Sequence, residues 1–350
     1  MSATSPDAPA SRRPRREMTV AHIARLAGVS APTVSKVING HTGVALDTRQ
    51  RIEDIIREHG YQRADSGPVS VPIVEILFQA LDSLWALEII RGVEQAIRDR
   101  GLAVALTEMQ GRQTPGRAWT EQLLTRRPLG VIAVSADLTT RQHAQLRARG
   151  IPLVALDPTG EPAHAIPSVG ATNWNGGLLA ARHLLDLGHR RIAMINGPDS
   201  YLCCRARFDG YRAALETAGV DVDPSLVATA PLYVDGGIAA ARRLLDRPDR
   251  PTAIFTGNDL QALGVYEAAR QLGLRIPEDL SVVGFDDLPF VRWSTPALTT
   301  VRQPLAEMGA AAATTLLRVT AGEALEHDRV ELPTNLVVRH STAPPPTDTR

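Results

Sequence analysis

Cysteine is nearly absent from this sequence of 350 residues, which contains only Cys203 and Cys204. The two are adjacent, and neighbouring residues lie too close together for the usual disulfide geometry. The sequence therefore excludes a disulfide-stabilised secreted scaffold and favours a reducing compartment, the cytoplasm. For both thiols, a place in the lining of a site is favoured over a chemical role.

Long apolar runs and nucleotide-binding motifs are also missing. No segment approaches the roughly 20 apolar residues that span a bilayer, and residues 1–16 carry arginines without the apolar segment of a secretory signal. The sequence has no Walker-type phosphate loop, no GxGxxG at the first βα turn and no cluster of metal ligands. We therefore expect no membrane attachment, no cofactor, no metal and no enzymatic activity of the kinase or dehydrogenase kind.

Charge of one sign is not in excess over the whole chain, since 38 Lys or Arg balance 38 Asp or Glu. The balance is uneven along the sequence, however. Residues 12–63 contain ten Lys or Arg and five Asp or Glu, a net charge of +5. A compact basic module on an otherwise neutral chain indicates contact with a polyanion such as DNA.

This basic module has the apolar periodicity of three short helices. Thr19 is a suitable N-cap for the first helix, which Gly28 ends, and Ser30 can cap a second helix with Pro32 in its first turn. A third helix is expected over 46–59. Two short helices joined by a tight turn form an all-α helix-turn-helix head, whose second helix enters the major groove of DNA. A generic three-helix bundle without a DNA role is the alternative.

The side chains predicted to contact DNA lie on or beside the second helix. Lys36, the only lysine of the chain, can reach a guanine edge or a phosphate. Short hydroxyl and amide side chains suit phosphate oxygens or base edges. The predicted DNA-binding residues are Thr19, Ser30, Ala31, Pro32, Thr33, Ser35, Lys36, Asn39 and His41.

Beyond residue 72, short apolar runs alternate with amphipathic helical stretches. The predicted strands are 73–78, 102–107, 130–135, 152–156, 191–196, 253–257 and 281–285. The predicted helices between them include 85–98, 174–187, 207–218 and 260–272. This alternation is typical of α/β domains with parallel sheets, and the number of units favours two lobes over one sheet. A ligand is then expected in the cleft between the lobes, beyond the carboxyl ends of the strands.

Two sets of segments resemble one known family. AHIARLAGVSAPTVSKVINGHTGV followed by TRQRIEDIIREHGY closely resembles the DNA-binding head of the LacI/GalR family of bacterial repressors. In the body, GATNWNGGLLAARHLLDLGHRRIAMING, PTAIFTGNDLQALGVYEAARQLGLRIPEDLSVVGFDDLP and TPALTTVRQPLAEMG are similar to segments of the family's effector domain. The resemblance implies a two-lobed α/β domain like the periplasmic sugar-binding proteins, with three crossovers between the lobes.

The domain boundaries follow from the residues and from this resemblance. We expect a disordered basic arm (1–17), the helix-turn-helix domain (18–61), a linker (62–72), the effector-binding domain (73–340) and a disordered tail (341–350). The first lobe is expected to comprise about 73–171 and 299–325, and the second about 172–298 and 328–340.

The linker departs from the family pattern. In the family, this segment folds into a hinge helix on DNA and inserts a leucine into the minor groove. Residues 62–72 here contain Gly67, Pro68 and Pro72 and no leucine. Glycine and proline oppose a helix at this place.

Several residues of the body are predicted to contact an effector. Sugars need paired polar groups for their hydroxyls and apolar or aromatic faces for their rings. By resemblance, the family's effector contacts correspond to Ser135, Asp157, Arg207, Asn258 and Asp286. The loop after the first strand adds Asp82, Ser83 and Trp85, and Tyr233 stands one residue after the position of a family aromatic.

Each of these residues has a plainer interpretation. Arg207 is expected to open its helix and clamp vicinal hydroxyls or a carboxylate, and an interdomain salt bridge is the alternative. Asp259 is expected to cap a helix, and Asp287 to be structural.

The resulting functional prediction is a sequence-specific transcription regulator, a repressor, that binds double-stranded operator DNA as a homodimer. The helix predicted at 85–98 is expected to supply the dimer interface. A small carbohydrate is expected to close the lobes and change operator affinity. The loop DSLWALEIIRGVE resembles that of family members that control plant-polysaccharide use, which favours a xylo- or gluco-oligosaccharide. A solute-binding protein that carries sugar without a regulatory role is the alternative.

Overall fold

The computed structural model describes residues 19–38, 43–59, 71–160 and 166–346. The chain divides into two compact units, Met1–Ser70 and Val71–Arg350. They are called the head and the body below.

The head contains three helices, which begin and end at residues suited to those positions. The helices are α1 Val20–Ala27, α2 Ala31–Ile38 and α3 Leu46–His59. The Thr19 hydroxyl caps α1 by accepting a hydrogen bond from the backbone N–H of His22 at 3.3 Å. Gly28 ends α1 in the left-handed conformation at φ 66°, which glycine adopts at little cost. The Ser30 hydroxyl accepts from the N–H of Thr33 at 3.4 Å and so caps α2.

A small apolar core holds the three helices together. Each helix contributes one fully buried branched side chain, namely Ile23, Val34 and Ile52. Leu26 has the same spacing as the core residues of α1 but is 48% exposed. The helix periodicity therefore defines the buried face of each helix, with Leu26 as the exception.

The body is an α/β structure of eight longer helices and twelve strands among the described residues. Its strands are β1 Ile73–Phe78, β2 Ala103–Glu108, β3 Gly130–Val134, β4 Leu153–Leu156, β5 Ser168–Ala171, β6 Ile192–Asn196, β7 Val227–Thr229, β8 Ala253–Thr256, β9 Ser281–Asp286, β10 Thr299–Arg302, β11 Arg329–Leu332 and β12 Asn335–Val337. Its helices are α4 Leu84–Ile97, α5 Arg117–Arg126, α6 Thr140–Ala148, α7 Asn173–Asp186, α8 Leu202–Thr217, α9 Val234–Leu245, α10 Asp259–Gln271 and α11 Leu305–Thr320.

The strands form two six-stranded sheets, one in each lobe. The first sheet has the order β11-β5-β4-β3-β1-β2 and the second has the order β12-β10-β9-β8-β6-β7. All pairs are parallel except β10 with β12. Central strands such as β3 and β9 are buried along their whole length, because helices cover both faces of each sheet. The predicted fold class is confirmed.

The chain passes between the lobes three times, and two of the passages differ from the expected lobe boundaries. Strand β10 pairs with β9 in the second sheet, although 299–325 was expected in the first lobe. The chain crosses only after Arg302, and α11 then packs on the first sheet. Strand β11 extends the first sheet beside β5, although 328–340 was expected in the second lobe. Strands β10 and β11 both lie where the chain changes lobe, so their order along the sequence does not indicate their sheet.

The C-terminal segment is ordered through Pro346, so the expected disordered tail begins too early. Ser341 is fully buried, accepts from the N–H of Thr299 at 2.7 Å and donates to the carbonyl of Val282 at 2.6 Å. The ring of His189 lies 2.9 Å from the carbonyl oxygen of Ala343. Residues 341–343 therefore extend the packing of the second lobe, and 347–350 lie outside the described residues.

Candidate functional site

The carboxyl ends of strands from both sheets meet at one cleft between the lobes, with a cavity of about 310 Å³. Ser135 follows β3, Asp157 follows β4, and Asp286 is the last residue of β9. Parallel strands place their following residues at one sheet edge, which brings Ser135 and Asp157 together on the first sheet, and Asp286 of the second sheet lines the same cavity. The cavity lining includes all nine predicted effector contacts: Asp82, Ser83, Trp85, Ser135, Asp157, Arg207, Tyr233, Asn258 and Asp286.

Three of these strand-end residues have a backbone conformation that is rare for residues other than glycine. The φ angles are 46° at Ser135, 47° at Asp157 and 114° at Asp286. Such conformations cost free energy and persist where the surrounding structure imposes them, and they cluster at binding sites. The Ser135 hydroxyl also donates to the carbonyl of Asp157 at 3.2 Å, which joins the ends of two strands.

Arg207 supplies the buried positive charge of the cleft. It lies in the second turn of α8, which begins at Leu202, so the expected position at the helix start is wrong. Its Nε donates to Asn173 Oδ1 at 2.8 Å, its Nη1 donates to the carbonyl of Gly257, and its guanidinium lies 3.8 Å from the ring centroid of Phe285. These partners are neutral groups of its own lobe, in contrast to the interdomain salt bridge considered as the alternative. A guanidinium has five N–H donors, so others remain for a ligand.

Two buried carboxyl groups face this guanidinium. Burial raises the pKa of Asp286 to about 7, against the charge of Arg207 and the hydrogen bond from Gln303, which lower it. Burial also raises the pKa of Asp157, and Arg207 again opposes the shift. A carboxyl group that titrates near neutral pH can accept from a ligand hydroxyl when ionised and donate to one when protonated.

The outer part of the cleft is more aromatic and more exposed. Trp85 is half-buried, and Tyr233 is 44% exposed. Burial, together with Asp82 of the other lobe, raises the pKa of the Tyr233 hydroxyl. Tyr201 of the second lobe donates to Gln79 Oε1 of the first at 2.8 Å. Aromatic faces and polar groups from both lobes therefore meet at the mouth.

Some lining residues were not predicted from the sequence. They include Gln79, Thr159 and Tyr201, whereas Cys203 lines the cavity as expected and Cys204 is not part of the lining. Gln79 directly follows β1, so the strand-end rule that selected Ser135 could have selected it as well. Tyr201 precedes α8, whose start was placed five residues too late, and this error hid its position.

The helix α10 is capped by Asn258 and not, as expected, by Asp259. The Asn258 side chain caps α10 by accepting from the N–H of Gln261 at 2.9 Å, while its amide donates to the carbonyl of Leu232 at 3.0 Å. The carboxylate of Asp259 is buried, accepts from Thr300 Oγ1 at 2.6 Å and also accepts a backbone N–H. The expected cap role of Asp259 is therefore wrong, because a tertiary contact with β10 takes up its carboxylate.

Asp287 lies beside the cleft and is bound to protein groups. Its Oδ2 accepts from Arg302 Nε at 2.7 Å, and its Oδ1 accepts from Arg339. Its side chain is 1% exposed. Of the two adjacent aspartates, Asp286 lines the cleft, and Asp287 pairs with arginines of β10 and of the segment after β12, as expected for a structural residue.

In the head, the predicted DNA contacts within the described residues lie on α2 or directly before it, apart from Thr19, which caps α1. Thr19, Ser30, Ala31, Pro32 and Lys36 are exposed, whereas Thr33 and Ser35 are half-buried. Asn39 and His41 lie outside the described residues, as do residues 60–70 of the linker region. The head thus presents an exposed helix surface that carries the cation of Lys36 and several hydroxyl groups.

A helix-turn-helix head joined to a two-lobed domain with a polar interlobe cleft defines a ligand-responsive DNA-binding regulator. Residues 19–64 match the model of the bacterial regulatory proteins of the lacI family. Residues 181–342 match the periplasmic binding protein-like domain.

The relatives cover nearly the whole chain. The ribose operon repressor of Escherichia coli K12 is 33% identical over 92% of this chain and 99% of its own length. A structure of the transcriptional regulator CelR in complex with cellobiose is 33% identical, with a TM-score of 0.69, over 93% of this chain and 99% of that one. A lac repressor dimer bound to operator is 26% identical, with a TM-score of 0.70, over 94% of this chain and 100% of that one.

The chain belongs to the lacI family of bacterial regulatory proteins. It is a DNA-binding transcription regulator, and the relatives support this function over that of a solute carrier. No helix among the described residues is long and apolar enough to cross a membrane.

Proposed function

We propose that this protein represses transcription by binding an operator as a homodimer, and that a small carbohydrate in the interlobe cleft changes its operator affinity. The observation that carries the proposal is the convergence of Asp157, Arg207 and Asp286 in one buried polar cluster. Together they offer donors and acceptors for adjacent hydroxyl groups, which is what recognition of a sugar requires. We place this activity in the cytoplasm, where operator DNA is accessible.

The effector is proposed to be a gluco- or xylo-oligosaccharide of about two rings. The inner cluster suits the hydroxyls of one ring, and Trp85 and Tyr233 near the mouth offer faces for a second. The relative CelR is described as a complex with cellobiose, and another relative is named a ribose operon repressor. These names support a carbohydrate effector. The aromatic side chains at the mouth favour a disaccharide such as cellobiose over a single ring such as ribose.

The dimer interface is proposed on the first lobe, at α4 and β2. Leu84 and Leu87 of α4 are 39% and 47% exposed, and Leu106 of edge strand β2 is 45% exposed. Exposed apolar side chains on a soluble protein mark an interaction surface. The lac repressor relative is described as a dimer on operator. A two-fold axis at this surface would give each half-site of a symmetric operator one head.

A thermal-shift titration of the full chain tests the proposed effector. Cellobiose, xylobiose, maltose and ribose are the probes, because binding to the native state alone raises its stability by mass action. We expect cellobiose or xylobiose to raise the Tm by several degrees. Arg207→Lys should abolish the shift, since lysine cannot reproduce the planar guanidinium. Arg212→Lys, at an exposed ion pair on the same helix, should retain it.

A gel-shift titration with the region upstream of the protein's own gene tests the regulatory part. A complex of two chains per symmetric site, with an affinity that changes on addition of the stabilising sugar, is the expected result. Occupancy of a single half-site, unchanged by all four sugars, would contradict the proposal.

A further inference from the structure

Gln303 connects the cleft to the first lobe at the point where the chain changes lobe. It lies between β10 and α11 and is 4% exposed. Its Nε2 donates to Asp286 Oδ1 at 2.6 Å, and its backbone N–H donates to the Asp286 carbonyl at 3.3 Å. The carboxyl group of Asp286 is thus bound on one side by a residue that the cavity lining does not include.

The orientation of this side chain depends on Asp286. The other amide atom of Gln303, Oε1, is buried and has no hydrogen-bond partner among the described residues. The bond from Nε2 to Asp286 is therefore the hydrogen bond that holds the side-chain amide of Gln303 in place. A ligand hydroxyl that draws the Asp286 carboxyl group toward itself would weaken that bond and leave Gln303 free to reorient.

A rigid contact continues from Gln303 into the first lobe. The N–H of Leu305, the first residue of α11, donates to the Gln303 carbonyl at 2.9 Å. One residue later, the carbonyl oxygen of Ala306 packs so closely on Gly92 of α4 that a Cβ at Gly92 would overlap it. Since backbone meets backbone here without a side chain between them, a shift of the α11 start must displace α4.

The displaced helix is the one with the exposed leucines. Farther along the same pair of helices, Gly309 of α11 packs against the carbonyl of Ile89 in a second close contact. Two such contacts on successive turns hold α4 and α11 together along their length. Leu84 and Leu87 at the start of α4 therefore move with α11.

We propose that Gln303 is a positioning residue that couples occupancy at Asp286 to α11 and α4, and through α4 to the dimer surface. This coupling rests on the proposed function, because it gives the bound carbohydrate a route to the spacing of the two heads. Gln303 is not itself a ligand contact in this mechanism. Coupling of this kind requires an element with two arrangements, and the crossover at 303–305 is that element.

A double-mutant cycle read by hydrogen exchange tests the coupling without any ligand. Full-length wild type, Asp286→Asn, Gln303→Leu and the double variant are compared. We expect Asp286→Asn to change the exchange rates of peptides covering 84–93 and 303–309 by at least twofold. In the Gln303→Leu background, the change at 84–93 should disappear. Gln142→Leu, a buried glutamine of the first lobe bound to the Pro115 carbonyl, is the matched background in which the change should persist.

Two results would overturn the inference. One is an Asp286→Asn effect at 84–93 that is the same with and without Gln303. The other is an Asp286→Asn variant whose α4 and α11 exchange as in the wild type. Thermal unfolding of each variant checks that it is folded, and Gln303→Met, of closer length, replaces the leucine variant if that one does not fold.

A second readout separates this inference from the proposed function. With cellobiose as the probe, Gln303→Leu should bind within about threefold of the wild-type affinity but lose the effect of cellobiose on operator binding. Equal loss of both would indicate a direct ligand contact and contradict the positioning role. If cellobiose does not bind the wild type, the proposed effector is wrong, while the exchange cycle still decides the role of Gln303.

Discussion

Gly177 of α7 packs directly on the backbone of Arg207 in α8. A Cβ atom at Gly177 would overlap the carbonyl oxygen of Arg207, and one at Gly210 would overlap the carbonyl oxygen of Trp174. The two helices can approach this closely only because each has a glycine where it meets the backbone of the other. This approach brings Arg207 within 2.8 Å of Asn173 at the start of α7.

Gly177→Ala should therefore damage the cleft from outside it. The added methyl group forces α8 away from α7, at a cost of about 1–3 kcal/mol in the free energy of unfolding. We expect a lower midpoint in urea unfolding and loss of the sugar-induced Tm shift, because Arg207 moves with α8. Gly116→Ala is the control, since a Cβ there meets only an arginine side chain at 3.8 Å. Wild-type sugar binding by Gly177→Ala would show that α7 does not position Arg207.

Much of the fold was predictable, because burial leaves a clear pattern in the sequence. Strands β1, β3 and β9 are mostly apolar and are buried along nearly their whole length, as expected for strands covered on both faces. Strand β11 is mostly exposed, and β7 has three residues, so neither has the apolar run that marks a strand. Such edge strands are defined by the partner strand that they meet, and a single sequence does not contain that information.

The cleft residues at the ends of recognised strands were predictable, whereas those that depend on a crossover or a tertiary contact were not. Ser135, Asp157 and Asp286 stand at the ends of recognisable strands, so topology places each at the carboxyl edge of its own sheet, beside the cleft. Gln303 follows β10, which was not recognised, and its role depends on a crossover. Asp259 was misassigned because a carboxylate at the start of a helix resembles a cap, whereas its partner Thr300 is 41 residues away in the chain.

Loss of charge should have different effects on stability and sugar binding at Asp287, which pairs with arginines, and at Asp286, which lines the cleft. Asp287→Asn removes the partner of Arg339, whose side chain is 13% exposed, and of the more exposed Arg302. Breaking a buried ion pair leaves an uncompensated charge, and we expect a loss of about 2–3 kcal/mol in the free energy of unfolding. Sugar affinity of the folded protein should stay within about threefold of wild type.

Chemical denaturation and calorimetric titration measure these two effects. Asp279→Asn is the matched control, because its partner Arg275 is 71% exposed and surface pairs contribute at most about 1 kcal/mol. A large loss of sugar affinity in Asp287→Asn would place this carboxylate in the site instead of beside it.

The buried carboxyl group of Asp286 should give the fold a pH dependence of unusual sign. Burial raises its pKa to about 7, whereas a carboxyl group in an unfolded chain has a pKa of about 4. Between these values the native state holds a proton that the unfolded state has lost. Its contribution to the free energy of unfolding therefore falls as pH rises from about 4 to 7 and is constant above that range.

The variant Asp286→Asn isolates this contribution. Desolvation lowers the pKa values of the half-buried His183 and the buried His189, and these residues act in the opposite direction, removing stability as pH falls below about 6.5. They are present in both proteins, so the difference between variant and wild type cancels them. We expect urea unfolding to show this difference shifting in favour of Asp286→Asn by about 1 kcal/mol per pH unit at its steepest. A difference that does not vary with pH would contradict the raised pKa.

The role of Lys36 in DNA binding can be separated from its contribution to the charge of the head. Lys36 is exposed on α2, and Lys36→Ala removes one cation from the surface that the helix-turn-helix turns toward DNA. Loss of one specific base or phosphate contact costs about 1–3 kcal/mol, so operator affinity in a gel-shift titration should fall roughly 5- to 150-fold. If the partner is a phosphate, the slope of affinity against salt concentration also falls by about one.

Arg51→Ala is the control, because it removes another exposed cation, from α3, and it should have a smaller effect. Equal losses in the two variants would mean that the head attracts DNA by net charge alone. Because the head and the body are separate units, the sugar-induced Tm shift of Lys36→Ala should match that of the wild type.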